Sequence, residues 1–379
     1  MMKYVYCFFF FLISSSLFAQ EQRTMIVNTD VFDGEKLHKN VNVLFHKGKI
    51  LKIAKGKPER VGDRLIKGSG KTVIPPLVNA HVHVWFAQNL KGALNEGVFA
   101  LLDMHSSDYY ANVMRRFNDS LNYAHYYGSN AGATVPGGHG TQFGIPVPTI
   151  NDTLSAKQFV RDRAAQGADY IKILKEPGRP TVTEAHTADI IKTAREVGLM
   201  PVSHVSKAGD AALLAEQGIG GFVHMWLDRK AEKEEWDTMV EADLFIVPTL
   251  LVYKSLFEQR EKQGIENKYM GIEKMMEEVL EAHRRGIPIL AGTDSPNLNL
   301  NYDTALFDEI ILLHKSGLSK GDALKAASLN AYKAFNLSSF QKLEAGAQAS
   351  FMLVDGKPLE DLEQLKQPKQ IFREGIEIR

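Results

Sequence analysis

Six side chains have the types and positions for divalent-metal chemistry: His81, His83, Lys172, His204, His224 and Asp294. His81 and His83 flank Val82. On an extended strand alternate side chains share a face, so both imidazoles point one way while Val82 and Val84 point the other. Two imidazoles on one face can chelate a divalent cation. With 12 histidines in the chain such a triplet is a weak signal, and by itself it describes two packed histidines at least as well. The later residues change that weighting. His204 ends the run Pro201-Val202-Ser203, His224 ends Gly221-Phe222-Val223, and Asp294 follows Ile287 to Thr293. Each is a ligand type at the C-terminal end of an apolar run that reads as a strand. Lys172 lies inside Tyr170-Ile171-Lys172-Ile173-Leu174 and faces away from Ile171 and Ile173. An amine in such a run is costly unless paired or neutral. Burial lowers its pKa, and a neutral amine can add carbon dioxide to give a carbamate, an anionic oxygen ligand. The alternative is a lysine paired with an acidic neighbour, and the sequence favours neither.

The elements that must position these residues follow from periodicity. Short apolar strands alternate with amphipathic helices through the middle of the chain. Strands are expected at Ala168–Leu174, Met200–Val205, Gly221–Met225, Leu244–Leu250 and Ile287–Gly292. Helices are expected at Thr183–Val197, Asp210–Gln217 and Ser319–Phe335, with a long charged helix ending near Arg285. Such alternation implies a parallel sheet. A doubly wound open sheet would carry a glycine-rich phosphate loop after its first strand; Gly137-Gly138-His139-Gly140 lacks that spacing. A (β/α)8 TIM barrel fits better. His81 to Asp294 divides into seven intervals of about 30 residues, and active sites of barrels lie at the C-terminal ends of the strands. Both chain ends alternate in strand fashion, with turns at Asp33-Gly34, Lys47-Gly48 and Asp355-Gly356. The expected architecture is α/β: a barrel over residues 73–337, and a small β-sandwich module built from residues 20–72 and 338–379.

The first residues read as an export signal: Lys3, an apolar run from Tyr4 to Ile13, then Ser14 to Ala19. That run is too short to span a bilayer. Residues 1–19 are expected to be removed, giving a secreted or periplasmic protein with no stable membrane insertion. The one cysteine, Cys7, would leave with the signal, so disulfides and cysteine metal sites are excluded. Composition is that of a globular protein, 44% hydrophobic and 24% charged. Lys+Arg and Asp+Glu are both 45, a net charge of +0, which argues against nucleic-acid binding. Homo-oligomerisation is left open.

The ordered stretches Ile74-Pro75-Pro76-Leu77-Val78-Asn79-Ala80-His81-Val82-His83, Ala168-Asp169-Tyr170-Ile171-Lys172-Ile173, Pro201-Val202-Ser203-His204, Gly221-Phe222-Val223-His224 and Ala291-Gly292-Thr293-Asp294-Ser295 resemble the amidohydrolase superfamily, in particular its imidazolonepropionase-like and prolidase-like branch. The resemblance covers nearly all of the chain after the signal. It implies two divalent metal ions, the first held by His81, His83 and Asp294, the second by His204 and His224, with carbamylated Lys172 bridging them. Zinc suits the mixed nitrogen and oxygen donors best, with manganese or iron as alternatives. The resemblance also implies Asp294 as general base and proton shuttle, and a small-molecule substrate hydrolysed at an amide or related C–N bond. Rival readings are a lactonase, esterase or phosphotriesterase at the same centre, or a non-catalytic metal-binding envelope protein.

Three departures from the family pattern are visible. Pro76 replaces a common glycine, Gly346-Ala347-Gln348-Ala349-Ser350 replaces a Gly-Lys-x-Ala-Asp pattern, and Ser206 and Ala211 stand where prolidase-like relatives often grip a substrate carboxylate with tyrosine and arginine. Lys207 nearby lacks arginine's bidentate fork. His139, in the glycine-rich loop, is either a substrate contact or a surface residue. His105 reads as a packing or surface histidine.

Overall fold

In a computed structural model, residues 23–56 and 64–379 are described. The expected signal segment 1–19 and Cys7 lie outside them. The chain begins with β1 (Thr24–Phe32), β2 (Leu37–His46), β3 (Lys49–Ala54), β4 (Arg64–Lys67) and β5 (Lys71–Ile74). The turns expected between them form for identifiable reasons. Asp33 Oδ1 accepts the N–H groups of Glu35 and Lys36, both at 2.8 Å. Lys47 and Gly48 both adopt positive φ, 48° and 74°, which matches the strand twist of a two-residue hairpin.

The middle of the chain carries β6 (Leu77–Val82), β7 (Val98–Asp103), β8 (His125–Gly128), β9 (Tyr170–Leu174), β10 (Met200–His204), β11 (Gly221–Phe222) and β12 (Phe245–Ile246). All pair in parallel, as a three-stranded sheet β6-β7-β8 and a four-stranded sheet β12-β11-β10-β9. The α/β class stands, but the strands are assigned to two sheets instead of one continuous ring. Isolated parallel bridges Ala133–Ile173, Ile246–Ile289 and Val82–Ser295 connect the pieces. The expected strand at Ile287–Gly292 is reduced to such bridges. Pro288 has no N–H to contribute to a ladder; its carbonyl accepts Ile246 N–H at 3.0 Å, while Ala291 accepts Ala80 N–H at 2.9 Å.

Helices separate these strands and bury one face each. Glu184–Glu196, at the predicted place, is capped by Thr183 and buries Ile190, Ile191 and Ala194. The long charged helix is two, Leu250–Lys262 and Ile272–Arg284, separated at Gly264 and Gly271, which have φ of 67° and 82°. The helix expected over Ser319–Phe335 is also two, Lys320–Ala326 and Leu329–Ala334, broken where Ser328 leaves helical geometry. Among the described residues no helix is long and apolar enough to cross a membrane.

The chain ends with β13 (Phe351–Asp355), β14 (Lys369–Arg373) and β15 (Ile376–Glu377), which join β1–β5 in one eight-stranded mixed sheet. The two ends therefore pair, as expected, in one continuous ladder, and Phe45 of β2 packs on Phe351 of β13, so the ladder curls over on itself. β1 is its branch point. Its residues 24–27 pair with β4 and its residues 30–31 with β5, while its other edge runs along β2. Asn28, at φ 56°, provides the jog between these registers. A separate core packs here around Phe45, Phe351 and Phe372, with ring centroids 5.0 to 5.5 Å apart.

Gly292 marks where the last parallel segment presses on β6. A Cβ there would lie 2.5 Å from Val247 Cγ1 and 2.8 Å from His81 N and Cβ. Gly292→Ala is expected to lower stability by about 1–3 kcal/mol, read by denaturant unfolding.

Candidate metal centre

β6 is buried along its whole length, and it delivers His81 and then His83 to one end of the parallel sheets. Their rings lie 5.6 Å apart. Asp294 reaches them from the last parallel segment. Its backbone is left-handed, φ 59°, and its N–H donates to His81 O at 2.8 Å. That turn aims the carboxylate inward. Asp294 Oδ1 lies 3.0 Å from His83 Nε2 and 3.2 Å from His81 Nε2, while Oδ2 accepts Asn297 Nδ2–H at 2.9 Å. His224 follows β11 with its ring 4.5 Å from that of His81 and 4.6 Å from that of His204, which ends β10. Lys172, on β9, is only 2% exposed. It faces the cavity together with Leu174, as strand alternation requires.

All six sequence-predicted ligands thus line one cavity of about 320 Å³. Donor atoms of His81, His224 and Asp294 lie within 4.8 Å of one another. This tightest trio crosses the expected division into two ligand sets. His139 also lines the cavity, its ring 4.7 Å from that of His204.

The electrostatics suit a cation. Burial pushes His81 down to about 3 and His224 well below the usual range, so both are neutral imidazoles with a free lone pair. Both ring nitrogens of His81 are buried without a hydrogen-bond partner; its contact with Asp294 is close but misaligned. A buried imidazole left in this way is expensive, and a metal would satisfy it. Burial raises the Asp294 carboxyl, but the facing histidines outweigh that and hold it well below the usual range, ionised; burial lowers His83, but Asp294 outweighs that and raises it. Burial lowers Lys172 to about 7, making the free amine accessible near neutrality. Imidazoles, a carboxylate and a neutralisable amine form a donor set that fits a divalent cation.

A supporting layer went unnoticed in the sequence. Asp103 ends β7 and accepts the N–H groups of Val84 and His105, each at 3.1 Å, and the Tyr126 hydroxyl at 3.0 Å. Glu176 lies 3.1 Å from His204 Nε2. Thr249 Oγ1 lies 2.8 Å from His224 Nδ1. With Nδ1–H donating to that hydroxyl, Nε2 is left for a metal. Thr249 holds a left-handed φ of 49° before the helix Leu250–Lys262 and does not cap it. Glu309 does so instead. Wholly buried on the helix Ala305–Lys315, it accepts Leu250 N–H at 2.9 Å and Leu251 N–H at 2.7 Å. Its position as one of two adjacent acids, with Asp308, in the otherwise apolar run Ala305–Leu313 was the available signal. Asp103 could have been found as another strand-end carboxylate. His105 is buried and hydrogen-bonded, in line with its reading as a packing residue.

The fold and the site together define a metal-dependent hydrolase. The chain belongs to the amidohydrolase family, whose profile matches residues 72–375. Comparison with curated protein sequences gives no match. Solved structures with the same fold include a Xaa-Pro dipeptidase with methionine bound in its active site, with TM-score 0.79 and 20% identity, covering 94% of this chain and 100% of that one. Ochratoxinase from A. niger has TM-score 0.77 and 17% identity, covering 95% and 96%. A molinate hydrolase has TM-score 0.76 and 15% identity, covering 95% of each chain. At these identities the likeness establishes the fold.

The Thr249 hydroxyl and the Glu309 cap make a prediction about binding. Thr249→Val should weaken zinc binding by about 10–100-fold while Thr249→Ser retains it; competition titration against a chelator measures this. Glu309→Gln, which sets an amide N–H₂ against a backbone N–H, should weaken it in the same direction.

Proposed function

We propose that this chain is an exported metal-dependent amidohydrolase that cleaves an amide or related C–N bond of a small molecule. The observation that carries the reading is the convergence of six ligand-type side chains, from five segments of the parallel strand system, in one cavity. In this proposal the isolated bridges close the two parallel sheets into a (β/α)8 barrel over residues 73–337. Segments 20–72 and 338–379 fold together into the sandwich-like module beside it. Residues 1–19 direct the chain to the periplasm or outside the cell.

His81, His83 and Asp294 would hold one divalent cation, and His204 and His224 a second, with zinc the best match to the donors. Lys172 would bridge the two as a carbamate. Its neutral nitrogen would bond to the carbon of carbon dioxide as one C=O electron pair moves onto oxygen, and the nitrogen's proton would pass to solvent, leaving the charge on the carbamate oxygens. When bound, the cations supply a nucleophile of hydroxide strength near neutral pH and polarise the bond under attack. Asp294 takes the proton of the attacking water and delivers it to the departing nitrogen. Its Oδ2 is held for this by Asn297. Thr249 and Glu176 fix the rings of His224 and His204. The buried walls of the cavity keep bulk water from the leaving group.

The test joins metal analysis to a substrate screen. Protein purified with zinc and bicarbonate is expected to carry two zinc ions and to hydrolyse members of an N-acyl amino acid, dipeptide and cyclic amide panel. Turnover confined to lactones, esters or phosphotriesters would transfer the assignment to those bonds. Asp294→Asn should lower kcat by at least about 10²-fold; full activity would remove its shuttle role. Lys172→Ala should lose metal and recover it with added short carboxylic acids. An unchanged metal content would exclude the carbamate bridge.

A further inference from the structure

Two local costs meet at the mouth of the same cavity. Phe143 is 43% exposed, and it lies on a short 3-10 turn, Thr141–Phe143, between Gly140 and Gly144, which have φ of 94° and 71°. Leu298 has a left-handed φ of 53°, a conformation rarely taken by a bulky residue. Both line the cavity, along with Leu256 from the helix Leu250–Lys262. An exposed aromatic and a strained leucine are explained if something apolar covers them in the working state.

The loop bearing Phe143 is seated, and buried His105 holds it. Nδ1 of His105 accepts Gly132 N–H at 2.9 Å, so Nε2 carries the proton and donates to Gly140 O at 3.3 Å. The glycines allow this close approach. A Cβ on Gly140 would lie 2.7 Å from Leu174 Cδ1, and one on Gly138 would lie 2.4 Å from Thr134 Oγ1 and 2.8 Å from Pro180 O. Phe143 is therefore presented at a fixed place, its ring 6.3 Å from that of His139.

We propose that Phe143, Leu256 and Leu298 form a preformed apolar subsite that takes an aryl or branched-alkyl group of the substrate, with Phe143 as its specificity-determining residue. The proposal rests on the hydrolase reading above for the reaction, but not for binding. A cavity of about 320 Å³ accommodates one such group beside the reacting bond.

The test uses phenylacetamide and acetamide as probes, titrated by calorimetry into the full chain purified with zinc. Phenylacetamide should bind at least roughly tenfold more tightly than acetamide, as expected for burial of a phenyl ring. Phe143→Ala should remove most of the gain and leave bound zinc unchanged, while Phe143→Leu keeps the larger part. Equal binding of phenylacetamide by wild type and Phe143→Ala would overturn the subsite. If the two probes bind in the expected order and no amide is turned over, the C–N assignment fails while the subsite stands. Turnover of phenylacetamide that is indifferent to Phe143→Ala in both KM and kcat would leave the reaction standing and remove the subsite.

Discussion

The contact of Asp294 with His81 and His83 joins the two ends of the parallel strand system. β6 is the first strand there, and the segment ending at Asp294 is the last. Backbone bonds reinforce the side-chain contact. Thr293 and Asp294 donate to His81 O at 3.1 and 2.8 Å, and His83 donates to Ser295 O at 2.8 Å. Buried Asn79 adds a bond from Nδ2 to Thr293 Oγ1 at 2.8 Å and accepts Thr293 N–H at 3.1 Å. The side-chain contact is electrostatic in a dry place. A carboxylate removed from water needs opposite charge or hydrogen-bond donors, and the imidazoles and Asn297 supply them. The same removal leaves His81 neutral and without an aligned partner. A site that stabilises its anion and leaves lone pairs free is poised for a cation.

The rest of the surroundings serve to keep those lone pairs aimed. A buried imidazole can hold either tautomer, and only a partner on one nitrogen leaves the other for a metal. Thr249 does this for His224, but a threonine with left-handed backbone needs support. Glu309 provides it from a different helix by taking the first two N–H groups of the helix that Thr249 precedes. Burial pushes Glu309 up to about 8, and its two backbone donors oppose that shift. Asp103 plays a comparable part for β6 and β7, tying Val84, just past β6, and His105, just past β7, to the end of β7. His105 in turn fixes the glycine-rich loop. Metal ligands and substrate wall are thus supported by a common set of buried polar residues.

Much of the centre was legible because its logic is local. Alternation along a strand places His81 with His83, and Lys172 opposite Ile171 and Ile173, while a ligand type at the end of each apolar run marks a shared face. The α/β class follows from the same alternation of strands and helices. What escaped depends on neighbours distant in sequence. Glu309 reads as an odd acid in an apolar helix until its carboxylate is seen against residues 250 and 251. Thr249 has no signature at all. Strand extents also escaped, because a proline in the last segment and the shortness of β11 and β12 leave bridges where ladders were expected. The jog at Asn28, which lets β1 pair with both β4 and β5, is revealed by no periodicity. Gly264 and Ser328 divide helices that the hydrophobic pattern joins.

Hydrolysis at this cavity depends on metal held through these six side chains. Anomalous diffraction at the zinc edge, from crystals grown with zinc and bicarbonate, tests this directly. The expected map has one peak among His81, His83 and Asp294, a second beside His204 and His224, and density extending from Lys172 Nζ between them. Zinc absent from the cavity, or held only by residues elsewhere on the chain, would contradict it.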